Sequence, residues 1–354
     1  MKKRAGLLAV LLTMSFVLGA CGSSSGTSSS STSETAEEAE ATEETETAGT
    51  DDTVYTMTLA NHLSPESVQN IAFEEFIENV EEKSGGRIQI NLSASGALGS
   101  QREIIEGVNL GTIEMGMGES GIYANYVPEF GVLALPFMYD SEEDFHAVLD
   151  GEVGELLAER LEEATNCKII SWMDGGVRDV YSAKPVETLA DLEGLKIRTP
   201  ESSVYIETFN AFGANPTPIS ANEMYSSIQS DVVSAMEGTG ETAYTYKIYE
   251  VANYCLETGH IYTDISLVIN TDIFESLPED LQEVLLECGQ ELTQSERELW
   301  AEKSDQYKQL MIDEGSMQFF EVDKEEAKAA VSSVYDNYID GDSAKQEIYD
   351  MITQ

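Results

Sequence analysis

The sequence predicts an α/β fold built as two lobes. Residues 53–354 form a body too long for a typical single core. Strand-like and helix-like apolar periods alternate along its first part, the order that gives a largely parallel sheet. A late apolar run, Ile265–Asn270, reads as a strand that returns to the first lobe.

The elements follow in order. Tyr55–Ala60 reads as a strand. Ser64-Pro65 offers a cap with proline at the first helical position. Val68, Ile71, Ala72, Phe76 and Val80 then recur at helical spacing, and Gly85-Gly86 ends the helix. Ile88, Ile90 and Leu92 alternate as a second strand. Ser100-x-x-Glu103 opens a second helix through a capping box, and Ile113–Met117 is a third strand. The second lobe begins near Gly176. It holds strands around Val180 and over Lys196–Thr199, a helix over Ser202–Phe212 ended by Gly213, and a capping box at Ser220-x-x-Glu223. From Glu279 to Ile312 a long helix is expected: Leu281, Val284, Leu285, Cys288, Leu292 and Trp300 keep its period, and only Gly289 interrupts it.

The N-terminus reads as an export signal. Lys2-Lys3-Arg4 is its positive start and Ala5–Phe16 its apolar stretch, too short to span a membrane. Leu18-Gly19-Ala20-Cys21 has the pattern of a lipobox, in which cleavage follows Ala20 and the Cys21 thiol receives the lipid. The alternative is an ordinary signal with an incidental cysteine. Residues 22–52 are Ser/Thr-rich, then Glu/Ala/Thr-rich, with no aromatic residue, and read as a solvated acidic tether. As a coil of 31 residues its ends lie roughly 30 Å apart. The mature protein is then anchored to a membrane rather than spanning it. Cys167, Cys255 and Cys288 are odd in number, so at most one disulfide forms among them, or all three are buried thiols.

Beyond the first 21 residues, 16 Lys and Arg face 66 Asp and Glu, a net charge of −50. Such a chain repels anions at long range, but salt confines that field to about 8 Å. A local, partly desolvated guanidinium still holds a carboxylate through two parallel hydrogen bonds. Arg198 either does this at a strand end or pairs with surface acids; Pro200 favours an extended, exposed approach at Thr199. Arg178 either meets a ligand or pairs with Asp174 or Asp179. Glu119, in the loop after the third strand, and Gln101, in the first turn of the second helix, suit ligand hydroxyls. His62 follows the first strand, where strand ends line clefts, or packs on Pro65. Glu103 and Glu223 are accounted for by their capping boxes. Gly116-x-Gly118-x-x-Gly121 fits a dinucleotide fingerprint, but it lies beyond the first strand–helix unit of an exported chain and reads as a flexible loop at the cleft edge. There is no G-x-S-x-G elbow and no H-E-x-x-H, and only three histidines, His62, His146 and His260.

Several segments, taken in order, carry a resemblance. They are Gly175-Gly176-Val177-Arg178-Asp179-Val180-Tyr181, Gly194-Leu195-Lys196-Ile197-Arg198-Thr199-Pro200, Gly213-Ala214-Asn215-Pro216-Thr217-Pro218, Glu223–Ser230 and Val232–Glu237. Over roughly residues 55–330 the chain resembles the DctP-type solute-binding proteins of TRAP transporters, which capture organic acids outside the cell and deliver them to a sodium-driven permease. The resemblance implies a two-lobe, periplasmic-binding-protein-like clamp with the long helix across both lobes. It implies lobe 1 over 53–175, lobe 2 over 176–263, a return to lobe 1 with the first part of the long helix over 264–303, and the helix end with a C-terminal segment on lobe 2 over 304–354. Residues 1–20 are the signal peptide and 21–52 the lipidated cysteine and tether. Arg198 matches the family's principal carboxylate-binding arginine, and Arg178 a second arginine at the cleft. His62 and His260 match polar positions near the ligand. Glu237 matches the acid of a D-G-x-E-N pattern whose asparagine is here Gly238.

The expected function is capture of a hydroxylated monocarboxylate, a uronic acid above all, for a TRAP permease. The alternatives are an exported lipoprotein hydrolase or lyase acting on an acidic sugar, or the binding subunit of a sensory system. The expected partners are the acid, the permease subunits and the membrane through the lipid. No catalytic residue, cofactor, metal or nucleic acid is expected, and the chain is expected to be a monomer. A lipid anchor in this family suggests a cell without an outer membrane.

Overall fold

The computed structural model describes residues 53–354; the expected signal, lipobox and tether lie outside the described residues. Strand β1 (Tyr55–Ala60) has the bounds that its sequence predicts. Helix α1 (Val68–Lys83) starts later than expected. Ser67 is its cap and accepts the Asn70 N–H, while Ser64 begins a turn in which its carbonyl accepts the Ser67 N–H. Both serines satisfy a cap pattern, and the buried Val68 face decides between them. Gly85 and Gly86 turn the chain out at φ 65° and 79°. Then follow β2 (Ile88–Ser93) and α2 (Gln101–Asn109), whose Ser100–Glu103 capping box forms as predicted.

After β3 (Met115–Gly118) the expected flexible loop is instead a short buried helix, Ser120–Tyr123. Its glycines serve packing. A Cβ on Gly118 would come within 2.2 Å of the Tyr123 hydroxyl, and one on Gly121 within 2.7 Å of the Tyr205 ring.

Helices α3 (Glu142–Leu149) and Glu152–Ala164 lead into β4 (Cys167–Ser182). This long strand joins the lobes. Its first part, to Val177, pairs antiparallel with β9 (Tyr262–Asn270). Its second part, from Arg178, pairs antiparallel with β7 (Ala235–Thr239). A bulge between Asp174 and Gly176 marks the passage, with Gly176 at φ 83°.

The full strand order is β2-β1-β3-β9-β4-β7-β5-β6, with β5 at Lys196–Thr199 and β6 at Asn215–Pro218. Strands β8 (Tyr254–Glu257) and β10 (Gln318–Glu321) extend from the second part of β4. The parallel pairs are β1–β2, β1–β3, β5–β6, β5–β7 and β8–β10; the returning β9 is antiparallel to both its neighbours. Helix α4 (Ser203–Ala211) begins after Ser202 and Gly213 follows at φ 81°, as predicted. The Ser220–Glu223 capping box does not form. The two side chains bond each other at 3.1 Å, over a 3-10 turn.

Past the short α5 (Gly240–Thr245), the chain reaches α6 (Glu279–Gly315), a continuous helix of 37 residues. Leu281, Leu285, Cys288 and Leu292 bury against the β1–β3 and β9 core, while Trp300, Tyr307 and Met311 enter the core under β7 and β8. Gly289 permits the first contact: a Cβ there would lie 2.2 Å from the Ile170 carbonyl oxygen. Cys167, Cys255 and Cys288 are buried free thiols. No helix among the described residues is long and apolar enough to cross a membrane.

Candidate ligand-binding site

The sheet order β4-β7-β5 sets Glu237 of β7 between Arg178 of β4 and Arg198 of β5. Arg178 does not pair with Asp174 or Asp179. It donates from Nε and Nη2 to the two Glu237 oxygens at 2.6 and 2.7 Å. Its guanidinium lies 4.9 Å over the Tyr205 ring, and its Nη1 donates to Thr263 Oγ1 at 3.4 Å. Asp174 instead meets His146, and Asp179 accepts the Gly259 N–H.

Arg198 is held differently. Its Nε donates to the Ile219 carbonyl at 2.7 Å, which orients the group. Its Nη1 comes no closer to Glu237 than 3.9 Å, and no other acceptor among the described residues takes it. Both arginines are buried, as is Thr199, so the approach that Pro200 favours is extended but not exposed.

Electrostatics separates the two cations. Burial alone opposes the Glu237 charge, but Arg178 overcomes it and holds the carboxyl at about 2. Burial alone would also lower Arg178, but Glu237 reverses this and the group stays firmly charged. Arg198 falls to about 10 through burial, opposed by Glu237 and reinforced by Arg178. At neutral pH both guanidiniums are charged. The charge on Arg178 is matched at bidentate range; that on Arg198 is not.

Arg178, Arg198, His62, Gln101 and Glu119 line one cavity. Glu237 and His260 lie beneath it. His260 is fully buried, bonds Thr258 Oγ1 through Nδ1 at 2.8 Å, and places Nε2 3.4 Å from Glu237, out of hydrogen-bond alignment. Its backbone N–H donates to the Arg178 carbonyl, so its contacts position the arginine. His62 is pushed down to about 3 by burial and by Arg198, so it is a neutral imidazole. Its Nδ1 and the Gln101 Nε2 are buried without a hydrogen-bond partner. Such atoms are rare unless a ligand or water completes them. The Glu119 side chain makes no hydrogen bond among the described residues, and burial raises it to about 7 against the pull of Arg178.

Glu241 and Tyr246 are among the lining residues that escape the sequence reading. Glu241, on α5, accepts the Val68 N–H at 2.6 Å and is raised by burial to about 7. Its signal was available: it follows β7 much as Glu119 follows β3. Tyr246 donates to the His62 carbonyl at 2.6 Å; no local pattern marks it. Gly238 does not line the cavity. A Cβ there would meet Met236 Cε at 3.0 Å.

Bacterial extracellular solute-binding protein family 7, DctP, matches residues 59–342. A solute-binding protein of Chromohalobacter salexigens is 32% identical over 270 residues, 76% of this chain and 80% of the relative. The 2,3-diketo-L-gulonate-binding periplasmic protein YiaO of Escherichia coli is 34% identical over 235 residues, 66% of this chain and 71% of the relative. Among solved structures, a TRAP periplasmic solute binding protein from Sulfitobacter sp. NAS-14.1 with bound β-D-galacturonate superposes with a TM-score of 0.81 at 28% identity, covering 84% of this chain and 99% of the other. One from Chromohalobacter salexigens with bound D-glucuronate gives 0.80 at 30% identity, covering 84% and 98%.

Proposed function

This chain belongs to the DctP family of bacterial extracellular solute-binding proteins, and from that premise we propose that it captures a hydroxylated monocarboxylate, a uronic acid in particular, and hands it to a TRAP permease. The observation that carries the ligand class is the asymmetry of the two arginines. Glu237 neutralises Arg178, which leaves one buried cation, Arg198, short of a partner. One unmatched cation suits one carboxylate. A second carboxylate would face Glu119 and Glu241 across a desolvated space. Hydroxyls instead suit the remaining lining: His62 Nδ1 and Gln101 Nε2 lack partners, and Glu119 accepts or, when protonated, donates. The uronates bound by the two solved relatives have this chemistry.

The test is a matched thermal-shift and calorimetric screen of glucuronate, galacturonate, succinate, malate and lactate. The uronates are expected to raise the melting temperature with concentration and to be recovered unchanged. Tight succinate or malate binding without uronate binding would reject the ligand class; conversion of the uronate would reject a purely binding role.

The lipobox supports lipid anchoring at Cys21, with residues 22–52 as the tether to the membrane. Cys21→Ser is expected to move the protein from the membrane fraction to the soluble fraction, because a serine hydroxyl is not lipidated. A mutant that stays as membrane-bound as the wild type after a high-salt wash removes this reading.

A further inference from the structure

Three side chains outside the ligand cavity meet at the β4 bulge. Glu142 and His146 stand one turn apart on α3, on the same face. Asp174 comes from the bulge itself. One ligand atom from each, a ring nitrogen and two carboxylate oxygens, lie within 4.8 Å of one another. His146 Nε2 and Asp174 Oδ2 are 2.8 Å apart. Two ligands bound tetrahedrally at zinc distances are about 3.3 Å apart, so a small displacement admits an ion between them.

The support behind Asp174 separates this trio from an ordinary acidic surface. Asp174 is 1% exposed. Its Oδ1 accepts the Gly176 N–H at 2.7 Å. Its backbone N–H donates to Glu296 at 2.9 Å, and its carbonyl accepts from Gln69 at 2.9 Å. One bond thus holds a carboxylate oxygen and two hold the backbone that carries it, a support of the kind that orients metal ligands. The neighbouring cation, Arg297, is engaged by Asp150 through two bonds of 2.7 and 2.9 Å. Glu142 and Asp174 open onto a cleft also lined by Tyr262 and Trp300, which gives an ion access.

We propose that Glu142, His146 and Asp174 form a site for a divalent transition-metal ion of the zinc type, with water completing its coordination. One imidazole and two carboxylates are a borderline nitrogen–oxygen set, whereas calcium takes six to eight oxygens. The ion would tie α3 to the point where β4 passes from one lobe to the other.

The test is calorimetric titration of zinc chloride, and separately calcium chloride, into chelator-treated full-length protein at pH 7.5. Zinc is expected to bind one site more tightly than calcium. His146→Ala and Glu142→Gln should each weaken it at least tenfold, while Glu143→Gln, on the same helix, leaves it unchanged. Circular dichroism checks that each variant is folded; should His146→Ala fail, Glu142→Gln decides. Absence of saturable zinc binding, calcium binding as tight as zinc, unchanged affinity in Glu142→Gln, or equal loss in Glu143→Gln would overturn the assignment.

Discussion

Arg198→Ala is expected to weaken ligand binding by about 30- to several-thousand-fold, or about 2–5 kcal/mol, the range for removing one partner of a buried charge pair. Two geometrical facts set the size of the effect. Arg198 is 5% exposed, so its attraction for a carboxylate is little diluted by water. It is also the cavity cation that no protein carboxylate approaches within hydrogen-bond range. Arg198→Lys should restore only part of the loss, because an ammonium cannot reproduce the planar fork. Calorimetry with the uronate found in the screen measures both. The alanine variant also loses the bond to Ile219, so its fold is checked first by circular dichroism. A folded variant that binds within threefold of the wild type would make Arg198 a structural residue.

Glu237→Ala is expected to cost about 3–5 kcal/mol of folding stability, because it strands the buried Arg178 charge without its partner. Urea denaturation at pH 7 reads this directly. Glu237→Gln keeps an acceptor and should lose less. A loss under about 1 kcal/mol for the alanine variant would show that Arg178 does not depend on Glu237. The same pair sets part of the pH response. The folded Glu237 pKa of about 2 lies below the ordinary value, so its contribution is complete above the unfolded pKa and is lost as pH falls through 2. Glu119, Asp179 and Glu241 act in the opposite sense. Burial raises each to about 7, so their ionisation penalises the fold at high pH. Stability is expected to rise as pH falls from 8 to 5 and to decline in stronger acid.

The elements legible in the sequence were those set by local pattern. The alternation in Tyr55–Ala60 and the period from Leu281 to Trp300 depend on nothing distant, and both elements form where expected. The Ser100–Glu103 box is local too. What escaped was fixed by distant contacts. Arg178 has Asp174 and Asp179 nearby in sequence, yet its partner is Glu237, brought alongside by the antiparallel pairing of β4 with β7. The glycines from Gly116 to Gly121 looked like freedom for a loop, but Tyr123 and Tyr205 fill the space beside two of them. The cavity arginines were legible only through the ordered family segments. Composition alone does not distinguish Arg198, which a ligand can use, from Arg160, which bonds Glu129 and Glu347.

Helix α6 has a mechanical consequence. At 1.5 Å per residue its 37 residues make a rod of about 55 Å. It is rooted by Leu281–Leu292 in one core and by Trp300–Met311 in the other. A turn of the lobes about the β4 bulge would load this rod, whose hydrogen bonds resist sharp bending but allow gentle curvature. Closure of such a clamp would act against an elastic element, and the balance between open and closed forms would depend in part on the stiffness of the span between Leu292 and Trp300. A residue there can change ligand affinity without touching the ligand.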